Sequence, residues 1–383
     1  MFLYRKKTEE VNFTMYQENP LFPLLRLSLG TSSDLGDLSA LTRAGWKALV
    51  DFSFSQGVAA LAVDGLQKAY ELNPKLALEI DKPELEELRY GLFGGVMTVE
   101  ADYSRHREVI AELMAFYRDM AVKPMLIKGY GLSLDYPTPE HRASGDIDVY
   151  LYHLGEYADQ MVTRKLGIGE KQNEDKHSVF EFKGITVEDH ATFTNVVEYP
   201  SHRQMEEFLQ AEAQKARAVE MGGAVMYLPT AMFNAVFLPC HIAGHFVYGG
   251  MSLKQVVDWA VFVSRHYGEI DWTRVLELAS DAGFLPLLKA LNGIVVRYLG
   301  VGRECVPDDF GPARVMDGVL EELFAPAVDR RAESYLAKAC RFYGAKWKYD
   351  LVFRDNYFLT FFRRGWASFR GRHLKNSRNV WAN

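Results

Sequence analysis

The sequence predicts an α+β protein, with a small mixed β-sheet at 121–230 and helical regions before and after it. Three observations carry this prediction. Residues 24–120 follow helical apolar patterns, whereas 121–228 break into short alternating segments bounded by glycine turns. Met221 to Leu253 contains no Asp, Glu, Lys or Arg, and helical periodicity resumes after it. The expected domains are a helical region at 1–120, the sheet at 121–230, a second helical region at 231–362 and a basic tail at 363–383.

A length of 383 residues allows two or three domains and a sizeable core, and 48% hydrophobic with 25% charged content is ordinary for a soluble globular chain. The 24 Phe and 20 Tyr supply large surfaces to bury. A net charge of −6 argues against nucleic-acid binding by the whole surface. Cys240, Cys305 and Cys340 are far apart and odd in number, so neither a disulfide framework nor a zinc spacing follows. The N-terminus has charges with no apolar stretch behind them, so no signal peptide is expected and the cytoplasm is the default location.

In chain order, residues 1–23 read as a loose lead-in. A helical pattern starts at Leu24, breaks at 30–37, and resumes with Ser39 as a candidate N-cap. Trp46 to Phe54 and Val58 to Leu66 are too apolar for exposed helices. Leu85 to Met120 is a long helical run interrupted by Gly91, Gly94 and Gly95. This first region carries no evident chemistry and is expected to buttress the sheet or to recognise an acceptor.

Met125 to Lys128 is a short buried strand ending in a Gly-x-Gly turn, and Ile147 to Leu151 is a second strand. Tyr157 to Leu166 is helical, 167–176 a polar loop, and Ser178–Phe182 with Ile185–Phe193 a hairpin around Lys183-Gly184. Met205 to Val219 is an amphipathic helix; Gly222-Gly223 then turns into the strand Ala224–Leu228. The uncharged run of 33 residues exceeds the ~20 of a transmembrane helix. Pro229, Pro239, the glycines, Asn234, His241 and His245 argue instead for a strand, a turn capped by Thr230 and a buried helix. No transmembrane segment is expected. Helices at Leu253–His266 and Trp272–Ala282 follow, the second opened by Asp271, and 284–350 stays helical with a break at 307–309.

The chemistry gathers between Pro124 and Tyr152. Ile147, Val149 and Leu151 point one way, and Asp146, Asp148 and Tyr150 the other. Two acids on one strand face repel. A divalent cation offsets that repulsion, and Mg²⁺ is held by one or two carboxylates plus substrate phosphates. The turn at Gly129 lets a backbone approach a phosphate closely, and Lys128 and Arg142 add positive charge. The plain alternative is a strand with two solvated aspartates beside an ordinary loop.

Leu126-Ile127-Lys128-Gly129, a spacer with Tyr136-Pro137, and Arg142-x-x-Gly145-Asp146-Ile147-Asp148 resemble uncharacterised bacterial nucleotidyltransferases of the polymerase-β-like superfamily. The motifs cover 124–151, with weaker similarity over 40–285. The glycine turn reads Lys-Gly-Tyr where the wider superfamily has Gly-Ser, and the gap from Gly129 to Asp146 is long. The resemblance implies Mg²⁺-dependent transfer of a nucleoside monophosphate from an NTP, ATP among them, to an unidentified acceptor hydroxyl or phosphate. Asp146 and Asp148 would hold the metal, and Lys128, Gly129 and Arg142 would meet the phosphates. The alternative is a catalytically inactive nucleotide-binding or scaffold protein that keeps the fold.

The resemblance also implies a third acid on a later strand, and Ile185-Thr186-Val187-Glu188-Asp189-His190 offers two. In a regular strand Thr186, Glu188 and His190 share the polar face, so Glu188 is chosen as third catalytic acid and metal ligand, with His190 as a phosphate or acceptor contact. A β-bulge at 187–189 would reverse the choice in favour of Asp189. His241 and His245 share a helix face, but Ile242 stands where a zinc protease needs Glu. They are buried hydrogen-bonded histidines or, as the resemblance implies, nucleotide contacts. The tail holds six cations between Arg363 and Arg378 and no acid, which leaves −12 on the rest of the chain. It reads as docked on the acidic body, with an anionic lipid or nucleic-acid surface as the alternative.

Overall fold

The structure, a computed structural model, describes residues 19–38, 41–76, 82–166, 172–173, 177–221, 223–325, 344 and 346–360. Ser39 and the tail at 363–383 lie outside the described residues.

Strands β1 (Met125–Leu126), β2 (Ile147–Tyr150), β3 (Gln172–Asn173), β4 (His177–Phe182), β5 (Ile185–His190), β6 (Arg217–Met221) and β7 (Ala224–Leu228) form one mixed sheet. Their order is β3-β4-β5-β2-β1-β7-β6. The pairs β2–β5 and β1–β7 are parallel; the others are antiparallel. The β4–β5 hairpin turns at Lys183 (φ 51°) and Gly184 (φ 74°), the two left-handed residues that suit the strand twist. The expected loop at 167–176 contains β3, which extends the sheet beyond β4.

The N-terminal helices are α1 (Leu21–Leu29), α2 (Arg43–Ser55), α3 (Ala59–Leu72) and α4 (Glu86–Arg118). Leu21 and Phe22 belong to α1 and are buried, so the lead-in ends earlier than the sequence suggested. Thr42 caps α2, its hydroxyl accepting from the Gly45 N–H at 3.2 Å. The glycines do not interrupt α4. A Cβ at Gly95 would lie 2.1 Å from the Phe54 ring, so this glycine is where α2 packs closely on an unbroken helix.

A short helix, α5 (Tyr130–Ser133), follows β1, and α6 (Gly155–Leu166) follows β2. The helix expected at 205–219 is instead α7 (Arg203–Ala213) followed by β6. Residues 217–221 pair with β7 along their whole length, with the turn at Gly223 (φ 80°), and this pairing overrides their helical pattern.

The C-terminal helices are α8 (Ala231–Gly244), α9 (Leu253–His266), α10 (Trp272–Ala282), α11 (Leu285–Leu299), α12 (Ala313–Phe324) and α13 (Lys346–Val352). Thr230 caps α8 through the Phe233 N–H at 3.0 Å, and Asp271 caps α10 through the Arg274 N–H at 3.2 Å. Among the described residues one helical stretch, Ala231–Tyr248, is long and apolar enough to cross a membrane, and 56% of it is buried inside the protein.

Alternation in β2 and β5 divides two cores. Ile147, Val149, Ile185 and Val187 pack with Val109, Leu113 and Tyr117 of α4 and Val162 of α6. Met125 and Tyr150 face the other way, into a larger core shared by α1, α3 and α8 to α12. The second face carries the acids.

Candidate active site

β2 and β5 run side by side in unbroken parallel register, with Asp148 opposite Glu188 and Tyr150 opposite His190. No bulge intervenes, so Glu188 falls on the face of Asp148. Asp189 falls on the opposite face, beside the N-terminus of α6. Gly155 opens that approach: a Cβ there would lie 3.4 Å from Asp189 Oδ2. The helix dipole favours a carboxylate in that position.

Asp146 precedes β2 and is exposed, whereas Asp148 is buried. Asp148 Oδ1 accepts from Lys128 Nζ at 2.8 Å and sits 2.8 Å from His190 Nε2. Burial pushes the Asp148 pKa up, but Lys128 and His190 more than offset it and hold the carboxyl below its usual range. Glu188 behaves oppositely. Burial, then the charges of Asp148 and Asp146, push it up to about 7, and it shares a hydrogen bond with Asp146. His190 Nε2 also lies 3.7 Å from Glu188 Oε2.

The strand β1 ends in backbone strain that aims its lysine. Lys128 has φ 55°, rare for a residue with a Cβ, and Gly129 follows at φ 52°. This double left-handed turn sends the chain into α5 and keeps Lys128 at Asp148.

A cavity of about 270 Å³ opens over these groups. Lys128, Gly129, Asp146 and Asp148 line its sheet side; His241, His245 and Lys254 line the facing wall. The histidine Nε2 atoms are 3.0 Å apart, so one proton lies between them. His245 stands at the end of α8, where a π-turn at His245–Gly249 leads to Gly250 (φ 89°). Burial, with Lys128 beside it, pushes the His245 pKa down; burial and Arg142 do the same to Lys254. Glu188 and His190 are not among the residues lining this cavity.

Arg142 lines the cavity but is buried and committed. Its Nε and Nη2 donate to Asp258 at 2.7 and 2.9 Å, and Tyr136 donates to the same carboxylate at 2.6 Å. The residue before it, His141, lies 2.8 Å from Asp64 of α3 and 3.0 Å from Glu100 of α4. Those hydrogen bonds outweigh burial and push His141 up to about 9. The loop from Gly129 to Asp146 is therefore held from both helical regions, and His106 of α4 also meets the Gly145 carbonyl at 2.5 Å.

Lys254, Asp258 and His106 escaped the sequence reading. Asp258 did leave a signal: a lone acid in Val256-Val257-Asp258-Trp259-Ala260 demands a buried partner. Lys254 lies one turn before it.

Asp148, Glu188 and His190 offer ligand atoms all within 4.8 Å of one another, and Asp146 adjoins Glu188. Three carboxylates whose mutual repulsion raises one of them fit a hard divalent cation.

Residues 42–300 match a family model described as an uncharacterised nucleotidyltransferase. No protein with a curated description matches the chain. Among solved structures, the chain is similar to an antigenic nucleotidyltransferase-like protein from Paracoccidioides brasiliensis, at 12% identity and a TM-score of 0.31 over 50% of this chain and 87% of that chain.

Proposed function

The chain belongs to the uncharacterised nucleotidyltransferase family, and we propose that it transfers a nucleoside monophosphate from an NTP to an acceptor hydroxyl or phosphate, releasing pyrophosphate. One observation carries this reading: Asp146, Asp148 and Glu188 converge beside Lys128 at the edge of a cavity that Lys128 and Lys254 line. Asp146, Asp148 and Glu188 would hold Mg²⁺, which when bound supplies positive charge to the triphosphate and acidifies the attacking hydroxyl.

The protein's own groups do the rest. Lys128 and Lys254 line the cavity and attract the triphosphate. Arg142, tied to Asp258, holds the loop that presents Asp146. Glu188 and His190 adjoin Asp148 but do not line the cavity, and the acceptor is assigned to their side. The acceptor oxygen bonds to the α-phosphorus as the α–β phosphoanhydride bond breaks, a hydroxyl acceptor gives its proton to solvent, and pyrophosphate leaves past Lys254. Burial and the charges of Asp148 and Asp146 raise Glu188, so neutralising those carboxylates favours its ionised form. An NTP donor fits a cytoplasmic setting.

A second reading has its own observation. Lys128 and His190 both engage Asp148 Oδ1 at 2.8 Å, which suits a nucleotide binder that needs no metal. Incubation with Mg²⁺ and each labelled NTP separates the two. Pyrophosphate release or self-labelling, absent from Glu188→Gln, supports transfer. Metal-independent NTP binding without release supports the binder.

A further inference from the structure

β5 brings two groups to the acid-bearing face. Glu188 and His190 alternate along a regular strand paired with β2, so both share the face of Asp148. His190 Nε2 lies 2.8 Å from Asp148 Oδ1 and 3.7 Å from Glu188 Oε2, and ligand atoms of all three fall within 4.8 Å of one another. Two ligands at right angles on one divalent ion, each about 2.1 Å from it, are about 3 Å apart. The separation of His190 from Asp148 therefore suits a shared ion as well as it suits a hydrogen bond.

As a counter-charge for Asp148 the imidazole is redundant, because Lys128 Nζ engages the same Oδ1 at 2.8 Å. What His190 adds is a nitrogen lone pair, which a lysine at neutral pH does not offer. The set is also open to a solvated ion. The side chain of Glu188 is 23% exposed against 2% for Asp148, so an ion that enters past Glu188 meets the two more buried ligands next.

We propose that His190 is a metal ligand beside Asp148 and Glu188, and that it makes this site prefer Mn²⁺ to Mg²⁺. Mg²⁺ takes oxygen ligands in a near-ideal octahedron and gains little from an imidazole. Mn²⁺ accepts the same carboxylate and phosphate oxygens and binds an imidazole nitrogen more readily. His190 then offers the Nε2 lone pair and carries its proton on Nδ1. Asp148, once bonded to an ion, no longer needs Lys128 as its counter-charge, and the ammonium is left for the triphosphate. The proposal rests on the carboxylate metal site of the reading above and adds a ligand and a cation preference to it.

Mn²⁺ is titrated into the full chain without nucleotide and followed by electron paramagnetic resonance, with a pulsed measurement of nitrogen coupling to the bound ion. Wild type is expected to show coupling to an imidazole nitrogen and to hold Mn²⁺ about tenfold more tightly than Mg²⁺ in competition. His190→Gln is expected to lose the coupling and the preference while keeping its Mg²⁺ affinity. His241→Gln with His245→Gln, on the facing wall of the cavity, is expected to keep both. Bound Mn²⁺ without nitrogen coupling in wild type overturns the proposal, and this result stands even where His190→Gln is misfolded. Coupling that survives His190→Gln overturns it too. Uncoupled Mn²⁺ beside intact Mg²⁺-dependent ATP binding removes the ligand and leaves the nucleotide reading standing. Coupling to His190 in a protein that releases no pyrophosphate does the reverse.

Discussion

Replacing Glu188 by Gln removes a charge and keeps the shape, so its effect on stability reads the electrostatics of the site directly. Burial and two neighbouring carboxylates raise Glu188 from 4.5 to about 7. A raised acid favours the folded state below its unfolded pKa and loses that advantage as pH rises through the folded value. Wild type therefore gives up about 3 kcal/mol between pH 4.5 and pH 8, and about 2 kcal/mol of it falls above pH 5.5. The Gln variant does not pay this penalty. In urea unfolding of the metal-free proteins, Glu188→Gln should gain about 2 kcal/mol on wild type between pH 5.5 and pH 8. Mg²⁺ should stabilise wild type at pH 8 and do little for the variant. A stability difference that is the same at both pH values, or an equal response to Mg²⁺, would refute the carboxylate cluster.

Two further outcomes concern the loop that carries Asp146. Asp258→Asn should cost about 3–5 kcal/mol, because it leaves the buried Arg142 without its counter-charge, and Arg142→Met with Asp258→Leu should recover most of it; a cost under about 1 kcal/mol in denaturant unfolding would contradict the account. His141, raised to about 9 by Asp64 and Glu100, gives stability that is complete below pH 6.5 and lost as pH rises through 9. His141→Gln should therefore lose about 2 kcal/mol more against wild type at pH 7 than at pH 10, a gap that a single pair of urea titrations measures.

What the sequence revealed and what it hid follow from the range of the interactions. Strand parity needs only neighbouring residues, and it separates Glu188 from Asp189 because β5 is regular along its whole length. The Lys183-Gly184 turn is equally local. The strand at Arg217–Met221 was hidden because a helical pattern runs on from α7, and only pairing with β7 decides its conformation. The tie between Arg142 and Asp258 spans 116 residues, and His141 reaches back to Asp64 across 77. No periodicity encodes such partners. The same distance explains why Arg142 read as a phosphate contact, whereas two of its donors are turned to Asp258.

The central claim is that Asp146 and Asp148 bind an NTP through a divalent cation, and calorimetry with Mg²⁺ and ATP tests it most directly. The account predicts that wild type binds ATP only with Mg²⁺, and that the Asp146→Asn, Asp148→Asn double variant folds but loses this binding. Equal affinity in the two proteins, or ATP binding by wild type that ignores Mg²⁺, would contradict it.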